Sequence, residues 1–349
     1  MRRLVLALVL LLLAGFVSSA WLTRPVVHGT LDDGELQGLQ LAPLDRALTL
    51  AMTRAGRVLL VTAVDAQGVQ GIDLAAASGR AFTDAIQAWA VLGEVGLRSA
   101  LTQAQPVSYP WAELGLPLAP SSPHIAAGTN YRAHAREVGV EEGQPFLFPK
   151  LSEPTPWDAP VLPGARLDYE AELCAVLLSE HSSATPAELG YVLCGDFTDR
   201  WVLVRDLQLD GVMGRTGFAT GKGGDSRLPL GPLLVIPVVA DVYRDIELRL
   251  YWNDELRQRD VAGSMVWSPR EILDAALRDC EAPYIAGEQV LSISDCEVIP
   301  AGTLVLTGTP EGVLFKLGTL WNPLAYLREG DAVTSFGTYL GYTRNVVAR

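Results

Sequence analysis

The sequence has little positive charge. Lys and Arg number 27 against 40 Asp and Glu, which gives a formal net charge of −13 at pH 7. Binding to a nucleic-acid backbone requires a basic face, and anionic lipid headgroups attract basic segments. The charge balance therefore argues against a nucleic-acid partner and against peripheral binding of the folded part to anionic lipid.

Cysteine is also scarce. The four cysteines are Cys174, Cys194, Cys280 and Cys296, and no pair of them has the CxxC spacing of a metal site. Cys174 falls in an apolar stretch and is predicted to be a small buried hydrophobe. Cys280 and Cys296 could form a bridge, but four cysteines allow three pairings and the sequence does not choose. This usage is compatible with an oxidising compartment without requiring one.

Charged residues make up only 19% of the chain and hydrophobic residues 49%. This composition excludes global disorder and provides for a large core. A length of 349 residues allows one large domain or two of ordinary size. No internal repeat or low-complexity segment is present.

The first 24 residues are predicted to be a targeting segment. Arg2 and Arg3 precede an apolar run over residues 4–17, and the small residues that follow fit a cleavage site after Ala20. The apolar stretch also approaches the ~20 residues needed to span a bilayer if it is not cleaved. A cleaved signal peptide and a retained inner-membrane anchor both place the folded part outside the cytoplasm.

Residues 25–120 are predicted to form a small N-terminal region that ends in a proline-rich linker. It contains a strand-like run at 58–64 and a helix-like stretch at 83–95. Prolines 106, 110, 117, 120 and 123 then punctuate the chain. We find no catalytic pattern in this region.

Short strands dominate residues 121–349, which indicates a β-rich α+β fold. Asn253-Asp254 predicts a hairpin turn. Ser268-Pro269-Arg270-Glu271 predicts a helix start, with serine as N-cap, and the helix should reach about Cys280. The predicted strands are 173–178, 233–239, 246–252, 289–293 and 303–306.

Two glutamates one residue apart, Glu170 and Glu172, lead into an apolar run that is predicted to be a strand. Alternate residues on a strand share a face, so the two carboxylates should point the same way. Two negative charges so placed repel each other unless solvent or a cation offsets the repulsion. An all-oxygen site suits Mg²⁺ or Mn²⁺ better than zinc. A solvated edge strand is the alternative.

Two further patterns could carry chemistry. His134 and Glu137 are three residues apart in a helix-like stretch, where a carboxylate could orient an imidazole for proton transfer. Lys222 lies in a glycine-rich stretch that lacks the spacing of a phosphate-binding P-loop. An ordinary surface pair and a solvated lysine are the respective alternatives.

Several separated motifs together resemble the fumarylacetoacetate hydrolase family over residues 122–349. The motifs are AGTNYRAHAREVG at 127–139, FPKLS at 148–152, DYEAEL at 168–173, RDLQ at 205–208, GKGGD at 221–225, PLGP at 229–232 and LTGTPEGV at 306–313. The resemblance implies a β-roll of mixed sheets with a few peripheral helices, a homodimer, and Mg²⁺- or Mn²⁺-assisted chemistry on a dicarbonyl acid. Hydrolysis of a C–C bond, decarboxylation and isomerisation all remain open.

The resemblance also implies roles for individual residues. Glu170 and Glu172 would bind the metal, and His134 with Glu137 would activate water or move a proton. Lys222 would stabilise an enolate. Arg205, Gln208 and Thr309 would bind the substrate.

The chain departs from the family pattern at one important position. The family's third metal carboxylate precedes the arginine of RDLQ by four residues, and Trp201 stands there. Arg200 replaces an asparagine and Leu203 a serine. Asp199 is two residues away from Trp201, on the same face if the segment is a strand. Metal affinity should therefore be weakened.

Two hypotheses follow. The chain is either an exported or membrane-anchored enzyme acting on an oxo acid, or a catalytically degenerate binding or assembly module at the membrane. The feature that separates them is whether a carboxylate other than Glu170 and Glu172 reaches the cluster.

Overall fold

The computed structural model describes residues 14–15, 17–19, 22–119, 123–316 and 318–349. Most of the predicted targeting segment, residues 1–24, lies outside these ranges, so cleavage and export stay predictions. Across the described ranges, we find no helix long and apolar enough to cross a bilayer. A single chain is described, and the predicted homodimer likewise stays a prediction.

The strands are short and lie mainly in two sheets. Their bounds are β1 Ala47–Met52, β2 Val58–Val64, β3 Gly68–Asp73, β4 Val107–Pro110, β5 His124–Gly128, β6 Phe146–Lys150, β7 Pro154–Pro156, β8 Leu167–Asp168, β9 Ala171–Leu177, β10 Leu189–Gly195, β11 Thr198–Asp199, β12 Leu228–Leu230, β13 Leu233–Pro237, β14 Glu247–Trp252, β15 Glu255–Val261, β16 Tyr284–Ala286, β17 Gln289–Leu291, β18 Leu304–Leu306, β19 Ala332–Gly337 and β20 Gly341–Val346.

The helices are few and peripheral, and this β-rich mixed architecture confirms the predicted fold class. The α-helices with described bounds are α1 Asp33–Gln37, α2 Leu74–Ser78, α3 Ala85–Gln103, α4 Arg132–Val138, α5 Arg200–Asp206, α6 Phe218–Gly221 and α7 Pro269–Arg278. Short 3₁₀ turns occupy Trp111–Glu113, Ala240–Asp245, Ala262–Ser264 and Pro323–Ala325.

The larger sheet has twelve strands. Its main path runs β4-β3-β2-β1-β13-β10-β9-β18-β5-β6, with β12 paired to β10 and β7 paired to β12. The β18–β5 and β12–β7 pairs are parallel. Every residue of β9 and β10 is buried, which accounts for their continuous apolar sequences. The centre of this sheet carries the candidate site.

The N-terminal region is part of the same sheet. β1 pairs antiparallel with β13, with Thr49 opposite Val235, and so joins strands β1–β4 to the C-terminal part. The proline-rich segment is not a free linker at its start, because β4 pairs with β3. Trp111, which follows β4, is buried against Trp157 and Tyr342. This packing supplies the apolar burial that stabilises the junction.

Local sequence signals predicted several elements well. The strand at 58–64 is β2, and the expected helix at 83–95 is α3, which continues to Gln103. Ser268 caps α7 through a capping box with Glu271. Asn253 and Asp254 both have positive φ, as a two-residue hairpin turn between β14 and β15 requires.

Residues 200–206 form helix α5, so the strand geometry considered for this segment does not apply. Asp199 is the N-cap of α5, and its carboxylate accepts hydrogen bonds from the backbone N–H groups of Trp201 and Val202. Such a cap is worth about 1 kcal/mol. Asp199 is therefore committed to the helix start and does not reach the glutamates.

Candidate active site

The predicted glutamates lie at the start of a central strand. Glu172 is on β9 and Glu170 directly precedes it. β10 runs antiparallel to β9 with Cys194 opposite Glu172, and the chain beyond β10 places Asp196 beside Glu170. The N–H of Asp196 donates to the carbonyl of Glu170 over 2.9 Å. The hairpin thus brings a third carboxylate to the pair.

Glu170, Glu172 and Asp196 are all buried, and one oxygen of each lies within 4.8 Å of the others. Sequence reasoning missed Asp196. Its only signal was a carboxylate at the end of the apolar run that forms β10. A buried acid in such a place requires a partner. The third carboxylate that was to decide between the two hypotheses is therefore present, although it comes from an unexpected position.

Two lysines donate hydrogen bonds to carboxylates of this triad. The Lys222 ammonium donates to Glu170 Oε2 and Asp196 Oδ2, each over 2.7 Å. Lys150, at the end of β6, donates to Asp196 Oδ1 over 2.8 Å and to the carbonyl oxygens of Lys222 and Arg227. Both lysines are buried. Lys222 therefore lies in the site, where it was predicted. Lys150 is a residue of the site that the sequence did not predict.

Arg200 is the third cation. It is the first residue of α5, and its side chain turns inward: Nε donates to Asp168 Oδ2 over 2.8 Å and Nη2 to Glu170 Oε1 over 2.5 Å. Its guanidinium lies 5.4 Å from the ring centre of Phe315. Asp168 also accepts from the N–H groups of Leu314 and Phe315, at 2.9 Å and 3.1 Å. Arg200 therefore links Glu170 to Asp168, which in turn holds the loop after β18.

We call this set the charged floor of the site. Among the described residues it comprises four carboxylates, Asp168, Glu170, Glu172 and Asp196, and three cations, Lys150, Lys222 and Arg200.

The electrostatics of the floor differ between its two glutamates. Burial alone would raise the pKa of Glu170, but Lys222 and Arg200 lower it to about 2. Burial raises the pKa of Glu172, and the charges of Asp196 and Glu170 raise it further. Burial would lower the pKa of Lys222, yet Asp196 and Glu170 keep it above its ordinary value. Glu170 is thus an anion clamped by two cations, and Glu172 is driven toward its neutral form.

The predicted His–Glu pair forms at the edge of the floor. Both residues lie on α4, and His134 Nδ1 is 3.2 Å from Glu137 Oε2. The N–H of Gly312 donates to both oxygens of Glu137, and the Lys316 ammonium donates to Oε1. Burial would raise the pKa of Glu137, but His134 and Lys316 lower it. A fixed anion on Nδ1 leaves Nε2 as the nitrogen for proton transfer.

Every lysine of the chain belongs to this part of the molecule. The sequence contains three, Lys150, Lys222 and Lys316. The first two are in the charged floor, and the third contacts the His134–Glu137 pair.

Thr309 lies at the site, but its hydroxyl is already used. It donates to the carbonyl of Ala171 over 2.9 Å and accepts from Gln258 Nε2 over 2.9 Å. The N–H of neighbouring Gly308 donates to Glu172 Oε2 over 2.7 Å. Gly308 has φ +89°, and a Cβ there would lie 2.9 Å from the Cβ of Asn130, so the turn requires glycine. The turn mainly positions the floor.

Arg205 and Gln208 do not reach the cavity, which is a correction to their predicted contact with substrate. α5 turns Arg205 outward, where its side chain is 59% exposed and pairs with Asp206. Gln208 is exposed beyond the end of the helix. Trp201, which the motif comparison had placed at the third metal-ligand position, also points outward and is 48% exposed; Asp196 supplies the third carboxylate instead. Helix α5 and the residues that directly follow it account for all three placements.

The floor opens into a cavity of about 290 Å³. His134, Glu170, Glu172, Arg200, Lys222 and Thr309 line its polar side. We call the apolar lining contributed by residues 203–218 the apolar wall, which consists of Leu203, Val204, Leu207, Leu209, Met213 and Phe218. Further apolar lining comes from Val138, Val140, Phe146, Phe148 and Phe315. A volume of this size suits a small organic acid.

Both pairs of cysteines are bridged. Cys174 bonds to Cys194 across β9 and β10, and Cys280 bonds to Cys296. Cys174 is buried, as predicted, and strand pairing brings Cys194 to it, a pairing that the sequence had left open. The bridge of Cys280 to Cys296 is confirmed. The first disulfide links β9, which carries Glu172, to β10, which Asp196 directly follows, and Cys194 Sγ lies 3.6 Å from the carbonyl oxygen of Glu172.

Whether the floor fits a divalent ion can be judged from its oxygens. The triad is close enough to hold a metal, and its donors are of the type that Mg²⁺ and Mn²⁺ prefer. Both oxygens of Glu170 and both of Asp196 accept hydrogen bonds from Arg200, Lys222 or Lys150. One oxygen of Glu172 accepts from Gly308. A carboxylate oxygen has two acceptor sites, so these hydrogen bonds leave acceptor sites on the triad, and Glu170, Glu172 and Asp196 would hold a divalent ion there.

Comparison with known proteins gives a consistent family. A sequence model described as the C-terminal part of fumarylacetoacetate (FAA) hydrolase matches residues 123–348. The chain is 27% identical over 227 residues to the oxaloacetate tautomerase YisK of Bacillus subtilis, covering 61% of this chain and 65% of that protein. It is 30% identical over 236 residues to the mitochondrial oxaloacetate tautomerase FAHD2B of Bos taurus, covering 64% and 65%. The matches thus span less than two thirds of either relative.

Solved structures share the fold. A fumarylacetoacetate hydrolase from the psychrophile Exiguobacterium antarcticum superposes with a TM-score of 0.61 at 20% identity, covering 87% of this chain and 100% of that one. A maleylpyruvate hydrolase from Sphingobium, in complex with manganese(II) and pyruvate, gives 0.55 at 21% identity, with 86% and 98% coverage.

Proposed function

Because the chain belongs to the fumarylacetoacetate hydrolase family, whose members act on oxo acids as tautomerases, isomerases or hydrolases, we propose that it moves a proton next to the oxo group of a small oxo acid. Keto–enol tautomerisation and double-bond isomerisation are the reactions of this class. The observation that carries the proposal is that His134 and the cations Arg200 and Lys222 face one cavity. The two tautomerases among its relatives support the same class.

The reaction requires a base and a site for developing negative charge. A base takes the proton from the carbon next to the oxo group, the C–H electron pair becomes the new C=C bond, and the oxo oxygen becomes an enolate. Return of the proton to oxygen or to another carbon completes the exchange without an oxidant. Cations aimed at the enolate oxygen in a buried site lower the barrier.

The residues of the site meet these needs. His134, held at Nδ1 by Glu137, presents Nε2 as the base. Lys222 and Arg200 line the cavity beside Glu170, so their remaining N–H donors are available to a carboxylate or an oxo oxygen. Hydrolysis would require a placed water in addition, whereas proton transfer uses only these groups.

Oxo-acid turnover by residues 25–349 is the direct test. Oxaloacetate, phenylpyruvate and an acylpyruvate should be offered in turn, with enol loss followed by ultraviolet absorbance and cleavage products by chromatography. Each assay should be run with EDTA, with Mg²⁺ and with Mn²⁺, the two cofactors that the sequence predicts. We expect the enol to disappear without formation of cleavage products. The variant His134→Gln should no longer accelerate this disappearance.

Two outcomes would contradict the proposal. Equal rates for wild type and His134→Gln would show that His134 is not the base. No acceleration of any oxo acid by a folded protein would favour the alternative, a non-catalytic binding or assembly module.

We also propose that the folded part is exported or held outside the cytoplasmic membrane. The basic and apolar N-terminal sequence supports this, and two disulfides are typical of an oxidising compartment. Fractionation of cells that express the full chain, with and without residues 1–24, would test it. Recovery of both forms in the cytoplasm would contradict export.

A further inference from the structure

We propose that the substrate of this site is a 2-oxo acid with a single carboxylate and an apolar tail, which is an alkyl chain or an aryl group. The inference rests on the proposed function and names the substrate class of the same site. The carboxylate and the oxo group would lie at the charged floor, and the tail would lie against the apolar wall. An acid with a second carboxylate in place of the tail would bind poorly.

The basic groups of the cavity are all at one end. Of the described residues that line it, Arg200, Lys222 and His134 have basic side chains, and each lies in the charged floor or at its edge. The remaining lysine, Lys316, is outside this lining and donates to Glu137. A substrate can therefore pair one of its ends with cations, while its other end meets no basic side chain of the described lining.

A second carboxylate at that other end would be costly to bury. The apolar wall consists of leucine, valine, methionine and phenylalanine side chains, which donate no hydrogen bonds. Burial of a carboxylate without a cation or a donor is strongly unfavourable. The net charge of −13 adds long-range repulsion of a dianion. The cavity thus selects against a dicarboxylate because it offers the second charge no partner.

Aromatic side chains line the cavity from the floor outward. The Lys222 ammonium lies 5.7 Å from the ring centre of Phe148, so the apolar lining begins next to a cation of the floor. The ring centre of Phe218 lies 5.2 Å from that of Phe148 and 4.8 Å from that of Phe146. These three neighbouring rings present apolar surface to an alkyl or aryl group that extends from the oxo carbon.

Apolar side chains at the outer part of the wall are open to solvent. Leu209 is 89% exposed and Met213 is 40% exposed, and both line the cavity. Exposed apolar side chains grouped at a cavity are typical of a binding site. An apolar tail that reaches them would remove their surface from water, which favours binding.

Matched pairs of acids test the inference by binding alone. 4-Methyl-2-oxopentanoate has the shape of oxaloacetate with an isopropyl group in place of the second carboxylate. 5-Methyl-2-oxohexanoate has the same relation to 2-oxoglutarate. Titration calorimetry of the purified full chain, with Mg²⁺ present, gives the four dissociation constants. We expect the apolar member of each pair to bind about tenfold more tightly or better.

Tail length provides a second measurement. In the series from pyruvate through 2-oxobutanoate and 2-oxopentanoate to 2-oxohexanoate, each added methylene should tighten binding by about twofold to fourfold. Dissociation constants that do not fall along this series would overturn the inference. So would a dicarboxylate that binds as tightly as its apolar counterpart.

A cation introduced into the wall should change the preference. Leu209→Arg adds a guanidinium at an exposed position of the lining, where the fold does not depend on the side chain. We expect this variant to bind 2-oxoglutarate about tenfold more tightly than wild type does, and to bind 5-methyl-2-oxohexanoate less tightly. Unchanged constants for both acids would overturn the placement of the tail on the wall.

Val212→Arg is the matched control for this variant. Val212 belongs to the same segment and is 69% exposed, but it is outside the lining of this cavity. The control adds the same charge to the same surface segment and should keep the wild-type constants. Equal gains in 2-oxoglutarate binding by the two variants would show a general effect of charge and would count against the inference.

Binding and turnover can fail separately. If the apolar acids bind in the expected order but none is turned over, the proposed function fails and the preference for an apolar tail stands. If oxo acids are turned over but the dicarboxylates bind more tightly, the proposed function stands and the inference is wrong. If none of the acids binds, the inference is wrong.

Discussion

The two sides of the cavity are built in opposite ways. The charged floor rests on central strands β9 and β10, every residue of which is buried, and its charges are paired across distant parts of the chain. The apolar wall comes from one local segment, 203–218, and Leu209 within it is 89% exposed. Under the proposed function, we therefore expect the core to determine the chemistry and the surface segment to determine substrate choice.

Substitution of Lys222 in the charged floor should have the largest effect on activity and stability. Lys222→Met keeps the length of the side chain but leaves Glu170 and Asp196 without a shared cation. We expect kcat/KM to fall by about 10²- to 10³-fold and the free energy of unfolding to fall by about 3–5 kcal/mol. Steady-state kinetics and urea unfolding measure the two. A folded variant with near wild-type kcat/KM would show that the floor is structural only.

A pH-dependent effect is expected at the His134–Glu137 pair. The folded-state pKa of Glu137 lies below the ordinary value of 4.5, so its ion pairs stabilise the fold above that value. That stability is lost as the pH falls through the lowered pKa. Between about pH 6 and about pH 3, wild type should therefore lose more stability than Glu137→Gln.

Thermal unfolding across that range provides the measurement. Glu142→Gln is the matched control, because Glu142 pairs with Arg136 of the same helix at the surface. If Glu137→Gln loses as much stability on acidification as wild type does, ionisation of Glu137 does not contribute to the pH dependence of stability.

A smaller effect is expected from the wall. Leu207→Ala and Met213→Ala remove apolar surface facing the substrate. Loss of a few methylenes in a pocket costs about 1–3 kcal/mol in discrimination. We expect KM for phenylpyruvate to rise about tenfold or more and KM for oxaloacetate to stay within about twofold. Equal effects on both acids would mean that the wall does not select the substrate.

The smallest effect on activity is expected from the disulfide remote from the floor. Cys280→Ala with Cys296→Ala should leave kcat/KM unchanged while the free energy of unfolding falls by about 3 kcal/mol. The bridge closes a short loop with a sequence separation of 16. Parallel kinetics and denaturant unfolding test both parts. A large loss of kcat/KM would show that this region is coupled to the cavity.

Sequence patterns correctly predicted the elements whose structure depends on residues that are close together in the chain. The period of β2, the capping box at Ser268 and the turn at Asn253 are set by neighbours in sequence, and each was found where expected. Family motifs predicted Glu170, Glu172, His134, Glu137 and Lys222, which the structure brings together.

The remaining features depend on contacts between distant residues. Asp196 reaches the triad only because β9 and β10 pair in one register, and the same register joins Cys174 to Cys194. Arg200 is the first residue of the helix that Asp199 caps, and the sequence had left open whether this segment is a strand. Arg205 and Gln208 were predicted from the resemblance to the family, but Arg205 lies on the outer side of the helix and Gln208 is exposed beyond its end.

The confinement of all three lysines to the site has a practical consequence for labelling. Lys150 is fully enclosed and the Lys222 side chain is only 4% exposed, whereas the Lys316 side chain is 16% exposed beside Glu137. An amine-directed reagent thus meets an outer surface without lysine targets, and its foremost side-chain target stands beside the His134–Glu137 pair. A fluorophore or crosslinker of that chemistry would therefore be attached next to Glu137, with no need for an engineered attachment point.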